Sequence, residues 1–190
     1  SHGLYNTRYI YEYSEDEERE FYRDSIQTLE EYTGLRLRGM LGPAISGTER
    51  TPDLMAEAGL IYHTDWVHDD QPVPIKTETG RLVSVPYSYE LNDAPLFGKH
   101  YTSRYFAEMC RRQFDRLYAE GDGRVVCLAI HPFLIAQPHA IGHLREILDY
   151  IKSHDQVWLT TADEIAQHYI RHDYDRHVEA AEAAATRGKD

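Results

Sequence analysis

The run Val125-Val126-Cys127-Leu128-Ala129-Ile130 breaks off at His131-Pro132, and no other stretch constrains the fold as much. Six apolar residues without polar alternation predict a strand buried on both faces, the habit of strands in parallel sheets. Proline cannot donate to a ladder and restricts the residue before it, so the chain must leave the sheet at His131. α/β barrels gather their chemistry at the C-terminal ends of such strands. An imidazole titrates near neutral pH, which gives it the capacity for acid–base work. The same residue could equally be a surface histidine at a strand end.

Around that run, helix and strand signals alternate over 190 residues, enough for one domain with a sizeable core. Ser14 with Glu17 reads as a capping box, and the helix behind it sets Phe21, Tyr22, Ile26, Leu29 and Tyr32 near one face. Gly34 ends it, and residues 35–40 predict a strand. Thr51 as N-cap and Pro52 at the first helical position open the next helix, which stops at Gly59 before a short strand over 60–62. A proline-broken loop over 71–74, a strand over 82–85 and a loop over 86–99 follow. Thr102 caps a long helix to Glu120 carrying Phe106, Met109, Cys110, Phe114 and Leu117. A helix over 141–153, a strand over 157–159 and a helix opened by Thr161 with Glu164 complete the pattern. This is the βα order of a parallel sheet or barrel, with too few strands for eight-fold closure. The expected organisation is a partial barrel over 1–172 and a tail over 173–190, read as a frayed helix or an extended segment.

A net charge of -12 argues against nucleic-acid and anionic-membrane partners, which select basic surfaces. No apolar run approaches membrane-spanning length. Cys110 and Cys127 fall in a helix-like and a strand-like segment, so two buried thiols in a reducing, cytoplasmic compartment are expected rather than a disulfide. There is no GxGxxG, P-loop, GxSxG or CxxC, which removes support for nucleotide binding and serine hydrolysis.

The polar candidates are few. His2 precedes Asn6 by four residues, and both side chains can ligate a metal, the amide more weakly. Asp65, Asp69 and Asp70 crowd one loop beside Trp66, either as a solvated turn or as the wall of a cleft. An aspartate beside a histidine can orient the imidazole. Arg36 and Arg38 stand at a strand end, where a guanidinium could pair a catalytic carboxylate or form an ordinary surface ion pair.

Five segments in order carry a resemblance: Ser1-His2-Gly3; Gly39-Met40-Leu41-Gly42-Pro43-Ala44-Ile45-Ser46; Thr51-Pro52-Asp53-Leu54-Met55-Ala56-Glu57-Ala58-Gly59; Asp65-Trp66 with Asp69-Asp70-Gln71-Pro72; and Ile130-His131-Pro132-Phe133. Over residues 1–169 the chain resembles the polysaccharide deacetylase, or NodB-homology, superfamily. Within it the Asp-Trp-x-x-Asp-Asp-x-Pro signature is similar to the allantoinase-like, cyclic-imide amidohydrolase branch. The resemblance implies an incomplete or distorted (β/α) barrel and a hydrolase of non-peptide C–N bonds acting on a small amide or an N-acetylated sugar. It implies a divalent metal, zinc, with His2 as a ligand and Asn6 where a second histidine usually stands. It makes His131 the general acid, Asp65 its support and Arg36 (or Arg38) the arginine of the third motif, with Pro43, Trp66, Asp69 and Asp70 on the substrate side. His2, Asp65 and His131 are then expected in one cleft. The family's paired-aspartate motif is absent from these residues, so the chain reads as a C-terminal part that works with a companion N-terminal segment, in a homo-oligomer. The alternative is a non-catalytic carbohydrate- or partner-binding remnant of the fold.

Overall fold

The computed structural model describes residues 1–5, 7–121 and 123–187. Contacts divide them into two units, one built from residues 1–66, 72–85 and 161 onward, the other from 67–71 and 86–160.

The first unit opens with α1 (Glu15–Thr33), whose start is the capping box read from the sequence: Ser14 accepts from the Glu17 N–H, and Glu17 reaches back to Ser14. Gly34 ends the helix at φ 68°, a left-handed conformation that favours glycine. Four strands follow: β1 (Gly39–Met40), β2 (Tyr62–His63), β3 (Val73–Ile75) and β4 (Leu82–Ser84), with α2 (Thr51–Glu57) between the first two. Their order is β1-β2-β4-β3; the first three in that order are parallel, and β3 pairs antiparallel with β4. Ser1 flanks the outer side of β1, its carbonyl accepting from the Leu41 N–H at 3.0 Å.

The strand expected over 35–40 keeps only its last two residues, because Leu35 is exposed and Arg38 turns to a bidentate pair with Asp163. The proline-broken loop expected over 71–74 stops short at Val73, where β3 begins; Pro74 sits in an edge strand, the one place in a sheet that tolerates proline. Ile10, Phe21, Tyr22, Met40, Leu54, Met55, Leu60 and Leu82 make the core between α1, α2 and the sheet. On another cluster, Val83 and Val85 meet Ala166 and Tyr169 of α7 (Ala162–His172) and Tyr174 of α8 (Tyr174–Arg187). Residues 174–187 are thus helical, begun by a buried tyrosine.

The second unit is helical. α4 (Ser103–Glu120) lies against α6 (Ile141–Lys152), with α3 (Asp93–Gly98) and α5 (Pro132–Ile135) beside them. Phe106, Cys110, Phe114, Leu144, Ile147 and Ile151 fill their interface. Both cysteines are free, Cys110 buried and Cys127 half-buried.

The central strand expected over 125–130 does not form a ladder. A single bridge, Ala129 with Asn92, is all the β-pairing they have among the described residues. The Val125 N–H donates to the Asp70 carbonyl, the Cys127 N–H to Ser88 Oγ and the Ala129 N–H to the Leu91 carbonyl. A 3-10 turn at Tyr89–Leu91 curls the partner segment and prevents a regular register. Residues 157–159 likewise form no strand, and Trp158 and Leu159 are exposed.

Candidate active site

The end of the 125–130 segment still does what a strand end would do: it delivers His131. Pro132 starts α5 and leaves His131 as its N-cap residue in extended backbone. The imidazole meets Asp93, the first residue of α3. Asp93 Oδ1 lies 2.6 Å from His131 Nδ1, and Asp93 Oδ2 accepts from the His131 N–H at 2.9 Å. Asp93 is fully buried and its own N–H donates to the Ala129 carbonyl. A buried carboxylate must be compensated; here both oxygens face the same residue, and the first turn of α3 adds a favourable dipole. The network assigns the hydrogen of a neutral ring to Nδ1, leaving Nε2 directed away from Asp93. The imidazole side chain is 38% exposed, open enough to meet a ligand.

Asp93 was not among the residues singled out from the sequence. The resemblance gave Asp65 the part of holding the His131 ring; the carboxylate on His131 Nδ1 is that of Asp93. A sequence signal existed: Asn92-Asp93-Ala94-Pro95 is a capping residue, an acidic first turn and an early proline. Asn92 does cap the helix, its Oδ1 accepting from the Ala94 N–H at 2.9 Å.

Asp65 follows β2 in the first unit. Its Oδ1 accepts from the Gly42 N–H at 2.6 Å, and Oδ2 lies 3.9 Å from His63 Nδ1 with no hydrogen-bond partner among the described residues. Burial raises its carboxyl to about 7, against the lowering effect of the Gly42 N–H. Gly42 has no room for a side chain: a Cβ would stand 2.6 Å from the Ser46 carbonyl oxygen. The turn that follows holds the buried Pro43 and places Ala44 and Ile45 at φ 55° and 58°, strained for a β-branched residue. Trp66 is half-exposed and sets its ring edge-on to His63 at 5.0 Å.

The remaining candidates make local contacts. Asp69 caps its own turn by accepting from the Gln71 N–H at 3.0 Å. Burial, then Glu90 and Asp69, raise the Asp70 carboxyl. Arg36 precedes β1, and the register Gly39 to Tyr62 sets it level with residue 59, six residues or about 20 Å of extended backbone from Asp65. It lies at the N-terminal end of the strands. A groove of about 750 Å³ between α4 and α6, lined by Tyr105, Arg111 and His143 among others, takes none of the expected residues.

His2 is exposed and its Nδ1 sits 2.8 Å from the Leu41 carbonyl. A metal-bound imidazole characteristically secures its second nitrogen in this way, leaving Nε2 for the ion. Asn6 lies outside the described residues. Among the described residues no three His, Cys, Asp or Glu side chains are grouped to hold a metal. Zinc takes at least three protein ligands, so these residues do not by themselves fit it; His2 offers one ligand.

No family model matches the chain. It is 24% identical over 181 residues to the peptidoglycan deacetylase of Helicobacter pylori, covering 77% of this chain and 61% of that protein. The crystal structure of a probable polysaccharide deacetylase from Pseudomonas aeruginosa superposes with a TM-score of 0.81 at 30% identity, covering 91% of this chain and 59% of that one. The crystal structure of Puue allantoinase gives 0.80 at 32%, with the same coverage. The fold is therefore the incomplete (β/α) barrel of NodB-type deacetylases. The chain belongs to the polysaccharide deacetylase superfamily, and it spans about three fifths of the length of each of these three relatives.

Proposed function

We propose that this chain carries the proton-donating part of a hydrolase of non-peptide C–N bonds, acting on a small amide or an N-acetylated sugar. The observation that carries the reading is the clasp of His131 by Asp93, with Oδ1 2.6 Å from Nδ1. In amide hydrolysis, water adds to the carbonyl carbon and the C–N bond then breaks only as the nitrogen gains a proton. With Asp93 holding the Nδ1 proton, the Nε2–H of the protonated ring is the one free to move to the leaving nitrogen. A positioned general acid of this kind contributes roughly a hundredfold to ten-thousandfold. Asp93 acts through His131 by fixing the ring's orientation and tautomer, as the aspartate of a catalytic triad does.

The deacetylase and allantoinase names of the relatives support the substrate class. We assign the base that takes the proton from water to a companion segment bearing paired aspartates, in line with the resemblance. His2 is proposed as one ligand of a divalent ion, zinc by resemblance, completed from outside the described residues. The free thiols of Cys110 and Cys127 support a reducing, cytoplasmic setting.

The test is hydrolysis by the full-length protein, supplied with zinc, of N-acetylated chitotetraose and of allantoin, followed as acetate or allantoate release. His131→Ala is expected to lose at least a hundredfold in kcat while keeping its circular dichroism. Binding of the oligosaccharide without turnover by the wild type would replace this reading with the binding-module one.

A further inference from the structure

The single turn of α5 closes on His131 itself: the Leu134 and Ile135 N–H groups donate to the His131 carbonyl at 2.9 and 3.1 Å. One hydrogen-bonded turn therefore carries both the imidazole and Phe133. Ile135 is fully buried. Residues two apart point to different sides of a helix, so burying Ile135 turns Phe133 outward. Phe133 is 68% exposed. Its ring centroid lies 5.5 Å from that of His131, with the planes at 66°. Single exposed apolar side chains are ordinary on protein surfaces. Phe133 differs because it shares a turn with a half-exposed imidazole whose Nδ1 is held by Asp93.

The distances suit a substrate that reaches both rings. A general acid stands about 2.6–3.2 Å from the atom it protonates. In an N-acetylated sugar the amide nitrogen is bonded directly to a ring carbon, about 1.5 Å further on. That carbon then lies within about 6 Å of the imidazole centre, the same reach as the Phe133 ring. A pyranose in its chair form presents axial C–H bonds on its faces. The electron-rich face of a phenyl ring attracts the positive ends of such bonds. A small cyclic ureide has almost no C–H to offer it. Sites for small molecules combine apolar or aromatic walls with a few placed polar groups, and Phe133 beside the His131–Asp93 pair is such a combination.

We propose that Phe133 is the platform for the sugar ring whose nitrogen His131 protonates, which makes an N-acetylated sugar, rather than a small cyclic amide, the substrate class. This inference rests on the His131 reading. The contact involves no atom that changes bonding, so it holds the sugar equally before and during the reaction. Its loss therefore appears in KM and not in kcat.

The test compares kcat and KM for acetate release from N-acetylated chitotetraose by wild type, Phe133→Leu, Phe133→Tyr and His131→Ala, all as full-length protein with zinc and all checked by urea unfolding. Phe133→Leu keeps an apolar side chain and removes the flat face. It is expected to raise KM roughly threefold to tenfold, in line with the loss of one aromatic contact, with kcat within twofold of wild type. Phe133→Tyr restores the face and should return KM to within twofold. If Phe133→Leu leaves KM less than doubled while His131→Ala loses its hundredfold, the inference is overturned and the functional reading survives. If Phe133→Leu lowers the urea midpoint and leaves KM unmoved, the rest of the full-length chain covers the ring and the inference is again overturned. Wild type that releases allantoate from allantoin but no acetate from the oligosaccharide overturns the sugar assignment alone. If it releases neither, the functional reading falls and takes this inference with it.

Discussion

Asp65 should make this protein less stable as pH rises, and Asp65→Asn should remove most of that dependence. Its carboxyl is raised by burial from an ordinary 3.8 to about 7 in the folded chain. Between those values the folded state binds a proton that the unfolded state has released, so stability falls with increasing pH. At about 1.4 kcal/mol per pH unit, the full span costs about 4 kcal/mol above pH 7. Some of this is already spent by pH 5, where the unfolded carboxyl has ionised. About 2.5 kcal/mol is left to appear between pH 5 and pH 8. The measurement is urea unfolding of wild type and Asp65→Asn at both pH values. Every other titrating group is common to the two proteins and cancels in the comparison. The wild type should lose about 2.5 kcal/mol more than the variant over this interval. Parallel losses in the two proteins would refute the reasoning, and would mean that Asp65 Oδ2 finds a donor in solution.

Gly42→Ala forces a Cβ to within 2.6 Å of the Ser46 carbonyl oxygen and 3.2 Å of Asp65 Oδ2. Urea unfolding should report a loss of about 1–3 kcal/mol, the usual cost of overpacking. Ser14→Ala removes one half of the capping box at α1; a loss of about 1 kcal/mol is expected in the same assay.

Most helix starts were legible because their determinants are local; Thr51 is the exception, being the first residue of α2 with Arg50 before it at the N-cap and no side-chain cap. Ser14 with Glu17, Thr102, and Thr161 with Glu164 all cap as the sequence indicates. The strands were less so. Hydrophobicity over 125–130 reports packing, and Val126 and Leu128 do pack against the second unit's core. Pairing needs a regular partner as well, and the turn at Tyr89–Leu91 withholds one. Pro74 hid β3 because proline excludes a central strand and not an edge. The fate of 174–187 turned on one anchor, Tyr174, amid alanines and charges. His131 was legible from its segment end; its partner was not, since the clasp joins residues 38 apart through folded backbone. Asp65 drew attention through its neighbours in sequence, and its real contact, Gly42, lies 23 residues away.

The central claim is that His131 and Asp93 act as one proton-donating unit in C–N hydrolysis. The most direct measurement is kcat for acetate release by His131→Ala, Asp93→Asn and the double variant, each checked for folding by circular dichroism. Groups that act through one another are grossly non-additive. The account predicts that Asp93→Asn alone costs roughly a hundredfold to ten-thousandfold, and that the double variant is no slower than His131→Ala. Losses that multiply in the double variant, or an Asp93→Asn protein with wild-type turnover, would contradict it.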